Sequence, residues 1–276
     1  MKPKKHLGQN FLYDPSILRK IVQASEISSE DTVVEIGPGR GSLTALLAEK
    51  AKKVIAIELD RELCEKLKSG FNEYGNVELD CGNALRYPYE GLPEFKVVAN
   101  IPYYITTPII FRLIESRGNL ISMTLTVQKE VAKRIAAQPD TKDYGVLSIM
   151  IQYYAVPELK FIIPKGAFRP VPNVDSAVIH LKIRKSPLIS VKDEKFFFRV
   201  VKTAFTQRRK TLANALKSII PPHVPPLSKG GIRGGEGGQG GIREILINIG
   251  IDPQRRPGTL SIEEFARLAD VLYNSQ

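Results

Sequence analysis

Alkylating the exocyclic amine of a nucleobase requires that its lone pair be drawn out of conjugation with the ring. Two acceptors aimed at the amino protons can do that. Asn100-Ile101-Pro102-Tyr103, directly after the apolar run Phe95-Lys96-Val97-Val98-Ala99, supplies such a pair. The Asn100 carboxamide oxygen is one acceptor. The Ile101 carbonyl, held outward by the fixed geometry around Pro102, is the other. Tyr103 adds a flat face for an extruded base. The same four residues also fit an ordinary turn at the end of a strand, so their neighbours must decide.

Thr32-Val33-Val34-Glu35-Ile36 reads as a buried parallel strand that runs into Gly37-Pro38-Gly39-Arg40-Gly41 and then an apolar helix from Leu43 to Ala48. Glycines at a strand-to-helix turn let a ligand approach the backbone closely. A dinucleotide loop wants Gly-x-Gly-x-x-Gly, but here the third glycine comes one position early and Ser42 stands where that pattern expects Gly or Ala. Gly37, Gly39 and Gly41 instead form a Gly-x-Gly-x-Gly loop, similar to those used for S-adenosylmethionine. A second strand, Lys53 to Ile57, ends at Glu58. That carboxylate is placed to accept hydrogen bonds from ribose hydroxyls, though a solvated strand end would look the same.

Around these residues the order is strand, glycine loop, helix, strand with acid, helix, short strand, Gly82-Asn83-Ala84-Leu85, strand, then Asn-Ile-Pro-Tyr. Alternation of this kind predicts an α/β fold: an open parallel sheet, Rossmann-like, with helices on both faces and ligands at the carboxyl ends of the strands. Every candidate site residue falls at such an end. Further strands are expected at Ser122–Val127, Glu158–Ile163 and Asp175–Leu181, with a helix from Lys129 to Ala137.

The motifs taken in order resemble those of the ribosomal RNA adenine N6,N6-dimethyltransferases, and most closely the small-subunit type. The resemblance runs almost end to end: Lys5-His6-Leu7-Gly8-Gln9-Asn10-Phe11-Leu12, Glu35-Ile36-Gly37-Pro38-Gly39, Ile57-Glu58-Leu59-Asp60, Asn100-Ile101-Pro102-Tyr103, Phe168-Arg169-Pro170-Val171-Pro172-Asn173-Val174-Asp175-Ser176, Arg208-Arg209-Lys210-Thr211-Leu212, and Gly250-Ile251-Asp252-Pro253 with Arg256-Pro257. It implies a class I methyltransferase that dimethylates N6 of two adjacent adenines near the 3′ end of 16S-type RNA, with a part in small-subunit biogenesis. It also implies a cofactor site of Asn10, Leu12, Gly37, Glu58 and Asn100. The position after Gly82 is usually Asp in that family and is Asn83 here, which weakens the acceptor expected to meet the cofactor adenine. Phe168 matches the aromatic that would face Tyr103 across the target base, or it is a core ring under a proline-bent loop.

S-adenosylmethionine carries its own driving force on a sulfonium, so neither a metal nor a covalent intermediate is required. His6, His180 and His223 are scattered, and Cys64 and Cys81 form no metal-like pair. His180, on an alternating strand, reads as a packed or surface residue. With no long apolar span or signal peptide, and two cysteines at unrelated positions, a monomeric protein of the reducing cytoplasm, without a membrane partner, is expected.

Charge distribution agrees with an RNA partner. The chain carries +11, with 40 basic and 29 acidic residues. Residues 1–20 contribute five basic and one acidic residue, and residues 182–217 eleven and two, whereas residues 21–181 hold 18 and 20. Lys4, Lys5, Arg208, Arg209 and Lys210 are therefore the expected phosphate contacts. A methyltransferase domain with a basic arm is expected over 1–185. A smaller helical RNA-binding domain is expected over 186–276, where apolar stripes recur at helical spacing: Phe196, Phe197, Val200, Val201, Ala204 and Phe205, then Phe265, Leu268, Ala269 and Leu272. It contains a Pro/Gly-rich insertion, 221–241, predicted to be disordered because eight of the fourteen residues from Ser228 to Gly241 are glycine. Two other functions fit the motifs: a large-subunit adenine methyltransferase of the macrolide-resistance type, and a ribosome-assembly factor whose catalysis is secondary.

Overall fold

The computed structural model describes residues 4, 7–71, 73–219 and 239–275. Its chain divides into two compact units, Met1–Lys133 with Ala155–Lys185, and Arg134–Tyr154 with Ser186–Gln276.

The first unit opens with a short strand, β1 (Phe11–Leu12), and a helix, α1 (Pro15–Ala24), whose first turn is capped by Asp14 accepting from the Ser16 N–H. The glycine-loop half follows as β2 (Thr32–Ile36), α2 (Ser42–Ala48), β3 (Lys53–Ile57), α3 (Arg61–Phe71) and β4 (Val77–Asp80). The second half is β5 (Phe95–Asn100), α4 (Thr106–Glu115) and β6 (Leu120–Gln128), after which the division between units falls within α5 (Lys129–Ala136). Helix α6 (Val146–Tyr154) precedes the strands β7 (Ala155–Ile163), β8 (Phe168–Arg169) and β9 (Ser176–Ile183).

Seven strands form one sheet in the order β4-β3-β2-β5-β6-β9-β7, and β1 pairs with β8 in a separate two-stranded ribbon. Strands β4, β3, β2, β5 and β6 are parallel, and the central β2 and β3 read as near-continuous apolar runs because helices cover both faces; Val33, Val34, Val97 and Val98 are fully buried. The sheet is not wholly parallel as the alternation predicts. Strand β9 runs antiparallel to both β6 and β7. Between β7 and β9 the chain has only a short 3-10 turn and β8, too little for the crossover helix a parallel pair requires.

In the second unit, α7 (Glu194–Thr206) buries the whole stripe expected of it, from Phe196 to Phe205, and Asp193 caps its start by accepting from the Phe196 N–H at 2.6 Å. After α8 (Leu212–Ala215) come α9 (Gln239–Asn248) and α10 (Ile262–Asn274). In α10, Ser261 and Glu264 form a reciprocal capping box, and Arg255 grips the Glu264 carboxylate with both Nη atoms. Residues 239–241, inside the predicted insertion, form the first turn of α9, followed at once by the buried Ile242, Ile245 and Leu246. Residues 221–238 lie outside the described residues. A contiguous division at residue 185 leaves α6 with the first unit, but its apolar residues place it in the second. Ile149, Ile151 and Tyr153 are buried, and the Tyr153 ring stands 5.1 Å from Phe197 and 5.4 Å from Phe198.

Candidate functional site

The carboxyl ends of β2, β3 and β5, with the N-terminal segment beside them, enclose one cavity. Asn10, Leu12, Gly37, Gly39, Glu58, Asn83, Asn100, Ile101, Pro102, Tyr103 and Phe168 all line it. Ile36 pairs with Ile57 and with Ala99 across the parallel sheet, so the residues that follow those partners, Gly37, Glu58 and Asn100, emerge side by side.

The glycine loop has positive φ at all three glycines, 72° at Gly37, 60° at Gly39 and 81° at Gly41. A Cβ on Gly37 would meet nothing within 4 Å, whereas one on Gly41 would press on the Phe71 ring at 2.9 Å. Gly41 does not line the main cavity. It borders a separate groove with Leu67 and Phe71, where its bare backbone lets α3 close against the loop.

Glu58 is 6% exposed and accepts from the Gly39 N–H at 3.1 Å and the Asp60 N–H at 2.9 Å, one on each oxygen. Burial nevertheless raises its pKa. Glu35 is an acid the sequence reading did not single out. It is 1% exposed, lines the cavity from the end of β2, and has its pKa pushed up to about 8 by burial, with the Glu58 charge adding to the effect. The hydroxyl of the neighbouring buried Thr44 is near enough to offset part of that rise, but neither it nor Glu35 Oε2 reaches full hydrogen-bond geometry. An acid in an otherwise apolar buried strand was the available signal. Two buried carboxyls with raised pKa values give a pocket suited to a ligand that carries a positive charge and several hydroxyl or amino donors.

Asn100 is fixed by its own amide. Its Nδ2 donates to the Asn10 carbonyl at 3.1 Å, which leaves Oδ1 as the acceptor. Ile101 is 1% exposed, and Pro102 at φ −54° and ψ 131° turns the chain out of the strand. Tyr103 is half-buried, and its hydroxyl and that of the buried Ser176 are 2.6 Å apart, which pins the ring. Phe168 lines the cavity but is 1% exposed and packs in the core with Leu12, Leu18 and Ile21. Asn83 is exposed, and its Oδ1 accepts from the Leu85 N–H at 2.9 Å. The amide oxygen expected to meet a cofactor amine is thus already engaged, with one lone pair remaining.

The expected phosphate contacts differ in setting. Lys4 makes ion pairs with Asp60 at 2.8 Å and Glu62 at 3.1 Å, and Gln9 Nε2 donates to the other Asp60 oxygen at 2.9 Å. Burial alone would raise the Asp60 carboxyl, but Lys4 and Gln9 bring it below its ordinary value. Lys5 lies outside the described residues. Arg208, Arg209 and Lys210 are exposed beyond the end of α7; Arg208 Nη2 donates to the carbonyls of Lys142 and Tyr144 at 3.0 and 2.6 Å, while its neighbours project from the turn. His180 is 4% exposed and bonds Thr124 through Nδ1 at 2.9 Å; burial lowers its pKa, as befits a packed residue.

Cys64 and Cys81 are not the unrelated pair that the sequence suggests. They form a disulfide, with Cα atoms 5.8 Å apart. Cys64 is buried on α3 and Cys81 is exposed just after β4, so the parallel pairing of β3 and β4 brings α3 and the Gly82-Asn83 turn together. A reducing compartment therefore cannot be read from these cysteines. Among the described residues, no helix is long and apolar enough to cross a membrane.

The family model for ribosomal RNA adenine dimethylases matches residues 1–234. A ribosomal RNA small subunit methyltransferase A of Geobacillus sp. (strain WCH70) is 46% identical over 98% of this chain and 91% of its own length. One from Clostridium botulinum (strain Loch Maree / Type A3) is 45% identical over 99% and 95%. Among solved structures, a dimethyladenosine transferase from Plasmodium falciparum matches with a TM-score of 0.80 at 27% identity, covering 96% of this chain and 98% of that one. The 23S rRNA methyltransferase ErmE matches with a TM-score of 0.71 at 26% identity, covering 96% and 100%.

Proposed function

Because the chain belongs to the ribosomal RNA adenine dimethylase family, we propose that the cavity is where its S-adenosylmethionine-dependent chemistry takes place, with Asn100 and Ile101 holding the target amine. The protein is a methyltransferase that dimethylates N6 of adenine in 16S-type ribosomal RNA. Curated relatives at 45–49% identity are named for the small subunit, which favours it over the large-subunit reading and over a mainly non-catalytic assembly factor.

The observation that carries the site assignment is the orientation of Asn100: with Nδ2 spent on the Asn10 carbonyl, Oδ1 is the acceptor at the carboxyl end of β5. Residues of the cavity fit S-adenosylmethionine. Gly37 leaves room that a Cβ would fill, Glu58 offers a buried carboxylate for hydroxyl donors, and Glu35 has an orphaned oxygen for a cationic group. When bound, that cofactor supplies an activated methyl group on a sulfonium. Asn100 Oδ1 and the Ile101 carbonyl then accept from the two amino protons and localise the nitrogen lone pair. Tyr103, pinned through Ser176, offers the base a ring held in one orientation. Holding the reacting groups in line and excluding water can supply roughly 7 to 11 kcal/mol of the barrier reduction. The alkylated amine becomes acidic and loses its proton to solvent without a strong base.

The small ribosomal subunit as partner, two adjacent adenines near the 3′ end as targets, a part in subunit biogenesis and rRNA processing, a monomeric state and a cytoplasmic site of action complete this reading. The cytoplasmic address follows from a ribosomal substrate rather than from the cysteines. Arg209 and Lys210, with Lys4 where RNA displaces its acidic partners, would contact phosphates, and the helical unit would bind RNA. Incubating the protein with labelled S-adenosylmethionine and unmethylated small subunits, large subunits or DNA, then mapping the label, tests it. N6,N6-dimethyladenosine in small-subunit RNA alone is the expected result. Comparable label in DNA would refute it.

A further inference from the structure

Beside the main cavity lies an open recess lined by Tyr13, Asp14, Gly166, Ala167 and Arg169. Tyr13 lines both, so the two share a wall. The β1–β8 ribbon sets this geometry, since Phe11 pairs with Arg169 and Leu12 with Phe168, and Tyr13 and Arg169 sit at its ends. Tyr13 is 43% exposed, a large ring left at a cavity rim. Arg40 borders it, with a guanidinium 5.2 Å from both the Phe11 and Tyr13 centroids. Arg169 is held in place, its Nη1 donating to the carbonyls of Gly166 and Phe168 at 2.9 Å each. Asp14 adds a carboxylate, whose Oδ1 accepts from the Ser16 N–H at 2.8 Å.

An exposed aromatic face, a planar guanidinium and a carboxylate match the requirements of an unstacked nucleobase: a ring to stack on, a cation for its phosphate or acceptor edge, and an acceptor for its amino group. We propose that this recess is a second base subsite, holding the adenine that neighbours the one in the main cavity, with Tyr13 as the stacking platform and Arg169 as the cationic side. It rests on the reading of the main cavity as the target-adenine site. An enzyme that extrudes one of two adjacent adenines gains from holding the other apart from it, and a wall shared through Tyr13 would separate the two bases. The recess thereby favours a purine at the neighbouring position, because the larger ring covers more of the tyrosine face.

Two readouts separate this inference from the functional reading beneath it. In the first, 2-aminopurine replaces the neighbouring adenine in a short single-stranded RNA carrying the target sequence. Binding to the wild-type protein is expected to quench its fluorescence through stacking on Tyr13. Tyr13→Phe keeps the quenching and Tyr13→Ala loses it, with unchanged thermal midpoints reporting that each variant folds. In the second, methyl transfer to the target adenine is compared on small subunits with adenine or uracil at the neighbouring position. Wild-type kcat/KM is expected to fall about tenfold with uracil, and Tyr13→Ala or Arg169→Ala to bring the two substrates within about twofold of each other. Equal quenching by wild type and Tyr13→Ala, or an undiminished preference in both variants, overturns the subsite. Quenching that depends on Tyr13 without methyl transfer to either substrate supports the subsite and instead overturns the reading of the main cavity.

Discussion

Lys4 Nζ lies 2.8 Å from Asp60 Oδ1, two residues beyond the buried Glu58 that lines the main cavity. Asp60 is 3% exposed, and Gln9 bonds its second oxygen. Lys4→Met leaves that carboxylate short of its cation. The expected outcome is cofactor dissociation about threefold faster by stopped flow, a gap that high salt narrows only modestly because the Asp60 side of the pair is buried. Identical off-rates at all salt concentrations would remove the arm from any part in cofactor retention.

Asn100→Ala removes the acceptor oriented by Asn10 while leaving β5 and its parallel neighbours paired. Turnover on unmethylated small subunits should drop at least tenfold, about 1.4 kcal/mol of transition-state stabilisation, with little change in thermal midpoint. An unaffected turnover number is incompatible with the acceptor role.

Glu35 holds a proton in the folded state up to about pH 8, whereas its ordinary carboxyl value is 4.5. The folded protein therefore binds more protons than the unfolded chain between those values. Stability from this group is complete below pH 4.5 and declines as pH rises towards 8. A cationic ligand favours the ionised carboxylate, so cofactor binding near pH 7 should release protons. Calorimetry in two buffers of different ionisation heat measures the number, and Glu35→Gln should diminish it. Buffer-independent heats would argue against ionisation of this group on binding.

Gly37 and Gly41 have similar φ but different surroundings, and substitution should separate them. Gly41→Ala drives a methyl into Phe71 and should lower stability by about 2 kcal/mol. Gly37→Ala meets no protein atom within 4 Å, so beyond its backbone strain it should chiefly weaken cofactor binding, read by titration as a rise in Kd of more than tenfold.

The Cys64–Cys81 bond closes a loop across 17 residues of sequence. Reduction, or Cys81→Ser, should lower the unfolding free energy by about 3 kcal/mol in urea titrations. A reductant should shift the wild-type midpoint and leave the Cys81→Ser midpoint where it is.

Much of the sheet was legible from sequence because period and burial agree there. Lys53–Ile57 and Thr32–Ile36 form strands with the bounds their apolar runs imply, and the acids and glycines following them fall where parallel pairing must place them. The reversed strand β9 was less legible, since alternation reports burial and not direction. Glu35 was hidden by the apolar run around it. The Cys64–Cys81 bond is invisible to spacing, because only the alignment of β3 with β4 brings those positions together. The engagement of Asn83 Oδ1 by Leu85 depends on a turn whose geometry two residue types do not encode.

The excursion of 134–154 into the helical unit means that the polypeptide passes between the two bodies three times, at residues 133, 154 and 185. The helical part is therefore not a detachable tail. A chain ending at Lys185 would keep α6 but discard Phe197 and Phe198, leaving the buried Tyr153 ring without the two aromatic neighbours it packs against. Swapping this module between relatives would require exchanging two separate stretches at once.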